Sequence, residues 1–85
     1  MTNWQLIVTK PARKNLEKIP NREQVRIEKA LDLLASDPFA GDIKRLESSH
    51  WRRRVGSYRI FCNLDIEARL IIVTAIMRRT STTYR

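Results

Sequence analysis

The sequence has very few of the residues that build metal sites and disulfides. It contains one cysteine, Cys62, and one histidine, His50. One cysteine cannot form an internal disulfide, and the two residues together cannot supply the ligands of an ordinary zinc site. Cys62 lies in an apolar, strand-like run, so we interpret it as a small core residue. We interpret His50 as a loop residue near the start of a strand. We predict no metal and no cofactor.

Long apolar runs are also missing. No segment approaches the roughly 18 apolar residues that a membrane-spanning helix requires. Residues 1–6 lack the charged start and the long apolar core of a signal peptide. We therefore expect a cytoplasmic protein that does not bind a membrane. The length of 85 residues, 42% of them hydrophobic, suits one domain over residues 1–85.

Positive charge is abundant and unevenly distributed. The net charge is +8, and residues 51–85 carry +6 of it, from 8 arginines against 2 acidic residues. All the lysines lie in residues 1–50, where 9 basic residues stand against 7 acidic ones. Guanidinium groups bind phosphate oxygens in a fork and stack on bases. The second half of the chain therefore predicts a surface that contacts a polyanion.

The first half predicts a strand and a helical hairpin. Residues 4–8 favour a strand. Two amphipathic helices follow on either side of Pro20, with apolar residues three and four positions apart, and Asn21 is predicted to cap the second helix. We predict a loop for residues 37–49, with Leu46 entering the core.

The second half predicts an antiparallel sheet. Residues 51–55 and 58–64 favour two strands joined by a tight turn. Residues 70–77 form a nearly continuous apolar run, which is typical of a central strand covered on both faces. The predicted order is β-α-α-β-β-β. It gives an α+β domain in which an N-terminal strand and a helical hairpin pack on one face of a mostly antiparallel sheet.

Strand alternation sorts the three consecutive arginines of the first predicted hairpin. Arg52 and Arg54 fall on one face of their strand, and Arg53 falls on the other with Trp51 and Val55. Since the tryptophan and the valine favour the core, we expect Arg52 and Arg54 to point away from it.

Further polar residues can join this outer face. Arg59 follows the tight turn, Arg78 and Arg79 follow the central strand, and Tyr84 comes within reach if the tail folds back. RNA carries its own nucleophile, the 2′-hydroxyl. Arginines that stabilise the charge developing on the phosphate, with a tyrosine that transfers a proton, are chemically sufficient to cleave it. From spacing alone, phosphate binding without catalysis is the simpler interpretation of the same residues, and the pattern leaves both interpretations open.

One segment of this half resembles a known signature. Residues 51–60, W-R-R-R-V-G-S-Y-R-I, resemble the W-R-x-R-V-G-x-Y-R pattern of the RelE/ParE toxin superfamily. The apolar strand followed by two arginines and a near-terminal tyrosine resembles the end of RelE-type toxins. The front half, with its strand, helical hairpin and Lys44-Arg45-Leu46 loop, resembles them too. The resemblance covers the whole chain and implies a RelE-like fold.

The resemblance implies a type II toxin that acts as a metal-free endoribonuclease, cuts mRNA on the ribosome and inhibits translation. It implies a catalytic set of Arg52, Arg54, Arg59, Arg78 and Tyr84. We further expect RNA contacts from the flanking basic residues Lys44, Arg45, Arg53, Arg79 and Arg85. Arg79 is an alternative to Arg78. Since arginine is a poor proton donor or acceptor, Tyr84 is the expected base, and the general acid stays unassigned.

The resemblance also implies partners. These are the ribosome, its mRNA, and a cognate antitoxin that forms a hetero-oligomer with the toxin. Three alternatives stay open: a ParE-like toxin that inhibits DNA gyrase without cutting RNA, a non-catalytic RNA-binding module, and a relative of the same fold without activity. The short chain and its complete basic set favour the RelE type.

Overall fold

The computed structural model describes residues 4–78. Its elements follow the order β1 (Gln5–Val8), α1 (Lys10–Glu17), α2 (Asn21–Ser36), β2 (Ile43–Glu47), β3 (His50–Val55), β4 (Tyr58–Asp65) and β5 (Leu70–Arg78). Three residues with predicted roles, Arg79, Tyr84 and Arg85, lie outside the described residues. No helix within the described range is long and apolar enough to cross a membrane.

The strands form one mixed sheet in the order β1-β5-β4-β3-β2. β1 runs parallel to β5, and every other neighbouring pair is antiparallel. The core lies between this sheet and the helices, where Ile27 and Leu34 of α2 are buried with Ile60 of β4 and Ile71 of β5. The predicted α+β fold is confirmed, with one strand more than the sequence predicted.

The additional strand, β2, lies inside the predicted loop over residues 37–49. It pairs with β3 and forms one edge of the sheet. Leu46 lies at a break in the register between β2 and β3, and its side chain is 48% exposed. The prediction that Leu46 enters the core is therefore wrong. Pro38, at the end of α2, is fully buried.

Two polar side chains fasten the α1 region to the central strand β5. The Thr9 hydroxyl donates to the Val73 carbonyl at 2.8 Å, and the Asn15 amide oxygen accepts from the Ile76 N–H at 3.1 Å. β1 ends at Val8, opposite Val73, so β5 lacks a strand partner on that side beyond this point. Asn15 supplies the hydrogen bond that a longer β1 would have made.

The start of α2 differs from the prediction. Pro20 is the N-cap residue and makes no side-chain capping bond, while Asn21 is already helical. A capping box needs a backbone N–H at the N-cap, which proline lacks. Gln24 instead donates from its side chain to the Ile19 carbonyl at 2.8 Å.

The helices cover only one face of the sheet. On the other face, Ile7 and Met77 are 42% and 56% exposed, so the prediction that β5 is covered on both faces is wrong within the described residues. We call this uncovered side the open face. Cross-strand pairing assigns to it Gln5, Ile7, Lys44, Glu47, His50, Arg52, Arg54, Arg59, Phe61, Asn63, Asp65, Leu70, Ile72, Ala75 and Met77.

Candidate nucleic acid interface on the open face

Strand pairing brings four basic side chains together on the open face. Residues directly opposite each other on neighbouring strands point to the same side of a sheet. Lys44 of β2 lies opposite Arg52 of β3, and Arg54 of β3 lies opposite Arg59 of β4. Three strands therefore contribute to one basic surface, and Arg52 and Arg54 share a face as strand alternation predicts.

The hydrogen-bond pattern between β3 and β4 brings these side chains close. The Leu64 N–H donates to the Ser49 carbonyl at 3.0 Å. Because hydrogen-bonded and non-hydrogen-bonded pairs alternate along an antiparallel ladder, the pair Arg54–Arg59 is of the non-hydrogen-bonded kind. The Cβ atoms of such a pair lie about 4.5–5.5 Å apart, and like charges at that spacing destabilise the sheet.

Each arginine of the open face has a guanidinium nitrogen without a hydrogen-bond partner. Arg52 Nη1, Arg54 Nε and Arg59 Nε are buried without a hydrogen-bond partner. Within residues 4–78 the single salt bridge joins Arg26 to Glu23 on α2, at 3.8 Å, and involves none of them. A buried donor without an acceptor costs about 1–3 kcal/mol. Phosphate oxygens would satisfy these donors and balance their charge.

An aromatic ring lies among these charges. Phe61 of β4 is opposite Arg52 on one side and Ala75 on the other, and it is partly exposed on the open face. An aromatic ring beside guanidinium groups is the arrangement that stacks an unpaired base while its phosphate is bound. Phe61 was not among the residues predicted to act, although its position two residues after Arg59 on one strand indicates that the two share a face.

A known protein family matches the part of the chain that forms the open face. A protein-family model described as "ParE toxin of type II toxin-antitoxin system, parDE" matches residues 6–82, nearly the whole chain. The protein belongs to this toxin family. It is a toxin of a type II toxin–antitoxin system, within the RelE/ParE superfamily that the sequence resembles. A comparison with curated proteins gives no match.

Solved structures share the toxin's fold. The RelE–RelB complex from Pyrococcus horikoshii OT3 matches with a TM-score of 0.85 and 22% identity, over 96% of this chain and 100% of that one. The RelBE2 complex from Mycobacterium tuberculosis matches with a TM-score of 0.80 and 22% identity, over 89% and 98%. The isolated E. coli RelE toxin matches with a TM-score of 0.81 and 15% identity, over 95% and 89%.

Two of the toxin's predicted RNA contacts lie on the helix side of the sheet. Arg53 is opposite Ile60 of the core, and its guanidinium lies over Gly41, where an added Cβ would approach Nη2 to 2.7 Å. Arg45 is opposite Trp51, and its Nε donates to the Ser48 carbonyl at 2.7 Å. The structure thus separates both arginines from the open face.

A β-bulge in β5 decides which way Arg78 points. Thr74 is the extra residue, so the alternation of the strand reverses after it. Without the bulge, Arg78 would share the open face with Arg59. Instead Met77 lies opposite Arg59, and Arg78 lies opposite the buried Tyr58 on the helix side. The prediction that Arg78 lies on the same face as the other arginines is wrong.

His50 lies on the open face and not in a loop. It is the first residue of β3, two positions before Arg52, and it is exposed. It lies opposite Asn63 of β4 and Glu47 of β2. The sequence did contain a signal for this position. His50 lies two residues before Arg52 and four before Arg54, and alternation along one strand places all three side chains on the same face.

Cys62 and Trp51 are structural residues of the toxin. Burial raises the pKa of the Cys62 thiol to about 11, so the thiol stays protonated at neutral pH and is no nucleophile. Trp51 turns to the helix side, where the Phe39 ring meets it edge-on with 5.5 Å between centroids, and Trp4 meets Phe39 in the same way at 6.0 Å. The prediction that Cys62 is a core residue is confirmed.

Proposed function

We propose that the toxin is a ribosome-dependent endoribonuclease that cleaves mRNA without a metal ion and so inhibits translation. One observation carries the proposal: Arg52, Arg54 and Arg59 lie together on one uncovered sheet face, and each has a buried guanidinium nitrogen without a hydrogen-bond partner. The fold similarity to RelE toxins supports the same activity. No group of three or more potential metal ligands lies together within the described residues.

The reaction follows from what the substrate and this face supply. The 2′-oxygen of RNA attacks the adjacent phosphorus, the P–O5′ bond breaks, and the products are a 2′,3′-cyclic phosphate and a 5′-hydroxyl. Negative charge accumulates on the non-bridging oxygens in the transition state, where preorganised guanidinium groups stabilise it most strongly. Lys44 and Phe61 extend the binding surface to either side of Arg52, and this holds the strand in line for attack.

Proton transfer is the remaining requirement. The 2′-hydroxyl must lose a proton and the leaving 5′-oxygen must gain one. By resemblance, Tyr84 takes part in this transfer, and Arg78 with Arg79 adds positive charge near the end of β5. Arg85 and the helix-side arginines Arg45 and Arg53 contribute to the attraction of the ribosome's RNA rather than to the reaction.

The partners follow from the family and from charge. We propose that a cognate antitoxin binds the toxin in a hetero-oligomer, as RelB does with RelE in the complexes of similar fold. An acidic antitoxin segment complements a protein of net charge +8. Both proteins would act in the cytoplasm, where translating ribosomes are found.

Inhibition of DNA gyrase is the second candidate, because the matching family is described by its ParE toxins. The two functions predict different targets of the open face. A gyrase inhibitor needs a protein-binding surface, and arginines without salt-bridge partners beside a partly exposed phenylalanine suit RNA better. We therefore rank cleavage of mRNA first.

The test is cleavage of mRNA on purified ribosomes, mapped by primer extension, with three proteins: wild type, Arg59→Ala and Arg13→Ala. Arg13 is an exposed residue of α1, so its replacement removes the same charge away from the open face. We expect cleavage by wild type and Arg13→Ala, and a rate lower by about 10²-fold or more for Arg59→Ala. A parallel supercoiling assay measures gyrase inhibition.

The outcomes separate the candidates. Intact mRNA together with inhibited supercoiling would refute the nuclease and support the gyrase inhibitor. Equal cleavage by wild type and Arg59→Ala would refute the role of the open face while leaving the nuclease activity in place.

A further inference from the structure

Charge is divided along the strands of the open face. Residues that lie opposite one another form four rows across the sheet, about 6.6 Å apart along each strand. In order, the rows are Arg54, Arg59 and Met77; Lys44, Arg52, Phe61 and Ala75; Ile7, Glu47, His50, Asn63 and Ile72; and Gln5, Asp65 and Leu70. The first two rows hold four basic residues and no acidic one. The last two hold two acidic residues and neither lysine nor arginine.

The basic residues of the first two rows form a diagonal, which we call the basic band. It begins at Lys44 on β2 and ends at Arg59 on β4, with Arg52 and Arg54 of β3 between them. Since neighbouring strands are about 4.8 Å apart, the band is about 12 Å long. None of its members is in a salt bridge among the described residues. Their charge is therefore available to the phosphates of a nucleic acid strand.

The other end of the open face is acidic. Glu47 lies at the edge of the sheet on β2, Asp65 ends β4, and Glu67 lies in the turn that follows. All three side chains are exposed, and none is in a salt bridge within residues 4–78. The Asp65 carboxylate accepts from the Ala68 N–H at 3.1 Å, which holds it at the end of the strand. These carboxylates repel a phosphate that approaches this end of the face.

Screening restricts this repulsion to nearby phosphates. The Debye length is about 8 Å at physiological ionic strength. A phosphate over β3 in the third row is about 5 Å from the position of Glu47 across the sheet, and its row holds no arginine or lysine. A phosphate between Arg54 and Arg59 is two rows away, at about 13 Å or more, where the repulsion is largely screened. The acidic residues therefore oppose binding along the strands without weakening binding between Arg54 and Arg59.

We propose that Glu47 and Asp65 form an electrostatic boundary that confines RNA to the basic band, so that a single strand crosses the sheet from β2 to β4 and does not run along β3. The inference rests on the proposed nuclease function and deepens it. The two acidic residues position the substrate through repulsion and take no part in the reaction. A strand on this path presents one phosphate to the Arg54–Arg59 pair, and the boundary prevents it from sliding towards the acidic end.

The first test measures the affinity of the full chain for uncleavable 2′-O-methyl oligouridylates of increasing length. For wild type, affinity should rise until the oligonucleotide covers the basic band and then level off. For the double variant Glu47→Gln/Asp65→Asn, affinity should continue to rise over longer oligonucleotides, and asparagine still offers an oxygen to the Ala68 N–H. The matched control is Glu17→Gln/Glu28→Gln, which removes the same charge at exposed helix positions and should level off at the wild-type length.

A charge reversal provides a second test. Glu47→Lys extends the positive charge into the third row and should add a phosphate contact. The magnitude of the slope of log K against log salt should then increase by about 0.7 for long oligonucleotides. Glu17→Lys makes the same reversal on α1 and should leave the slope unchanged. This readout depends on where phosphates are bound, so a purely structural role of Glu47 would not change it.

The outcomes separate this inference from the nuclease proposal. A double variant that levels off at the wild-type length, or equal slopes for Glu47→Lys and Glu17→Lys, would overturn the boundary. No binding by wild type at any length, or a wild-type slope in Arg59→Ala, would overturn the boundary together with the role of the open face. Expected binding without cleavage of ribosome-bound mRNA would refute the nuclease proposal alone. Circular dichroism and urea unfolding check that the variants, altered at exposed positions, keep the fold.

Discussion

Arg54 and Arg59 lie directly opposite each other on β3 and β4, and neither has a salt-bridge partner among the described residues. A folded sheet gains nothing from two facing positive charges. A phosphate between them would gain hydrogen bonds from both. The pair is therefore expected to lower the stability of the free toxin and to strengthen its binding of a polyanion. Both effects can be measured.

Replacing one member of the pair should stabilise the toxin. Arg54→Gln keeps a long polar side chain and removes the repulsion, so we expect the free energy of unfolding to rise by about 0.5 kcal/mol at low salt. Urea unfolding measures it. Arg13→Gln on α1 is the matched control and should change stability less. A fall in the stability of Arg54→Gln would show that the arginines do not repel each other.

Binding of single-stranded RNA should depend on salt through the open face. A 2′-O-methyl oligonucleotide cannot be cleaved and isolates the binding step. Each lost phosphate contact lowers the slope of log K against log salt by about 0.7. We expect that decrease for Lys44→Ala and for Arg59→Ala, and none for Arg13→Ala. Identical slopes in all three variants would mean that phosphates are bound elsewhere.

The Asn15 side chain should contribute more to the free energy of unfolding than an ordinary surface amide does. Its side chain satisfies the Ile76 N–H where β1 has ended. Asn15→Leu leaves that N–H without an acceptor and should cost about 1–3 kcal/mol of stability, whereas Asn15→Asp keeps an acceptor and should cost less. Hydrogen exchange of the Ile76 amide should accelerate in Asn15→Leu. Unchanged exchange would show that the bond does not protect β5.

Cys62 should make stability fall at high pH. Burial raises the pKa of its thiol from 9.0 to about 11, so the folded toxin holds the proton that the unfolded chain releases. The contribution is complete below pH 9 and is lost as pH rises towards 11. The free energy of unfolding of wild type, measured by urea unfolding relative to that of Cys62→Val, should therefore fall over that range. A constant difference would refute the shifted pKa.

Alternation along β3 made the central part of the site predictable. The pattern of Trp51, Arg53 and Val55 against Arg52 and Arg54 follows from a period of two and from the need to bury apolar side chains. Both are properties of the strand itself. The helices were equally predictable, because their apolar residues recur every three or four positions.

The features that the sequence did not reveal depend on contacts between distant segments. β2 (Ile43–Glu47) has no alternating pattern and is mostly exposed, so only its pairing with β3 makes it a strand. The bulge at Thr74 reverses the direction of Arg78, and it reflects the fit of β5 against β4. His50 was missed because the strand was started one residue too late.

The pairing of β1 with β5 joins segments about 65 positions apart in the chain, Gln5 with Leu70 through Val8 with Val73. Such a pairing is slow to form, because the entropy of closing so long a loop precedes any gain from contacts. During synthesis, β1 leaves the ribosome first and must wait for the last strand before it has a neighbour. The toxin therefore completes its sheet only after β5 has been synthesised, and a fragment that stops before β5 lacks the strand that β1 and β4 share.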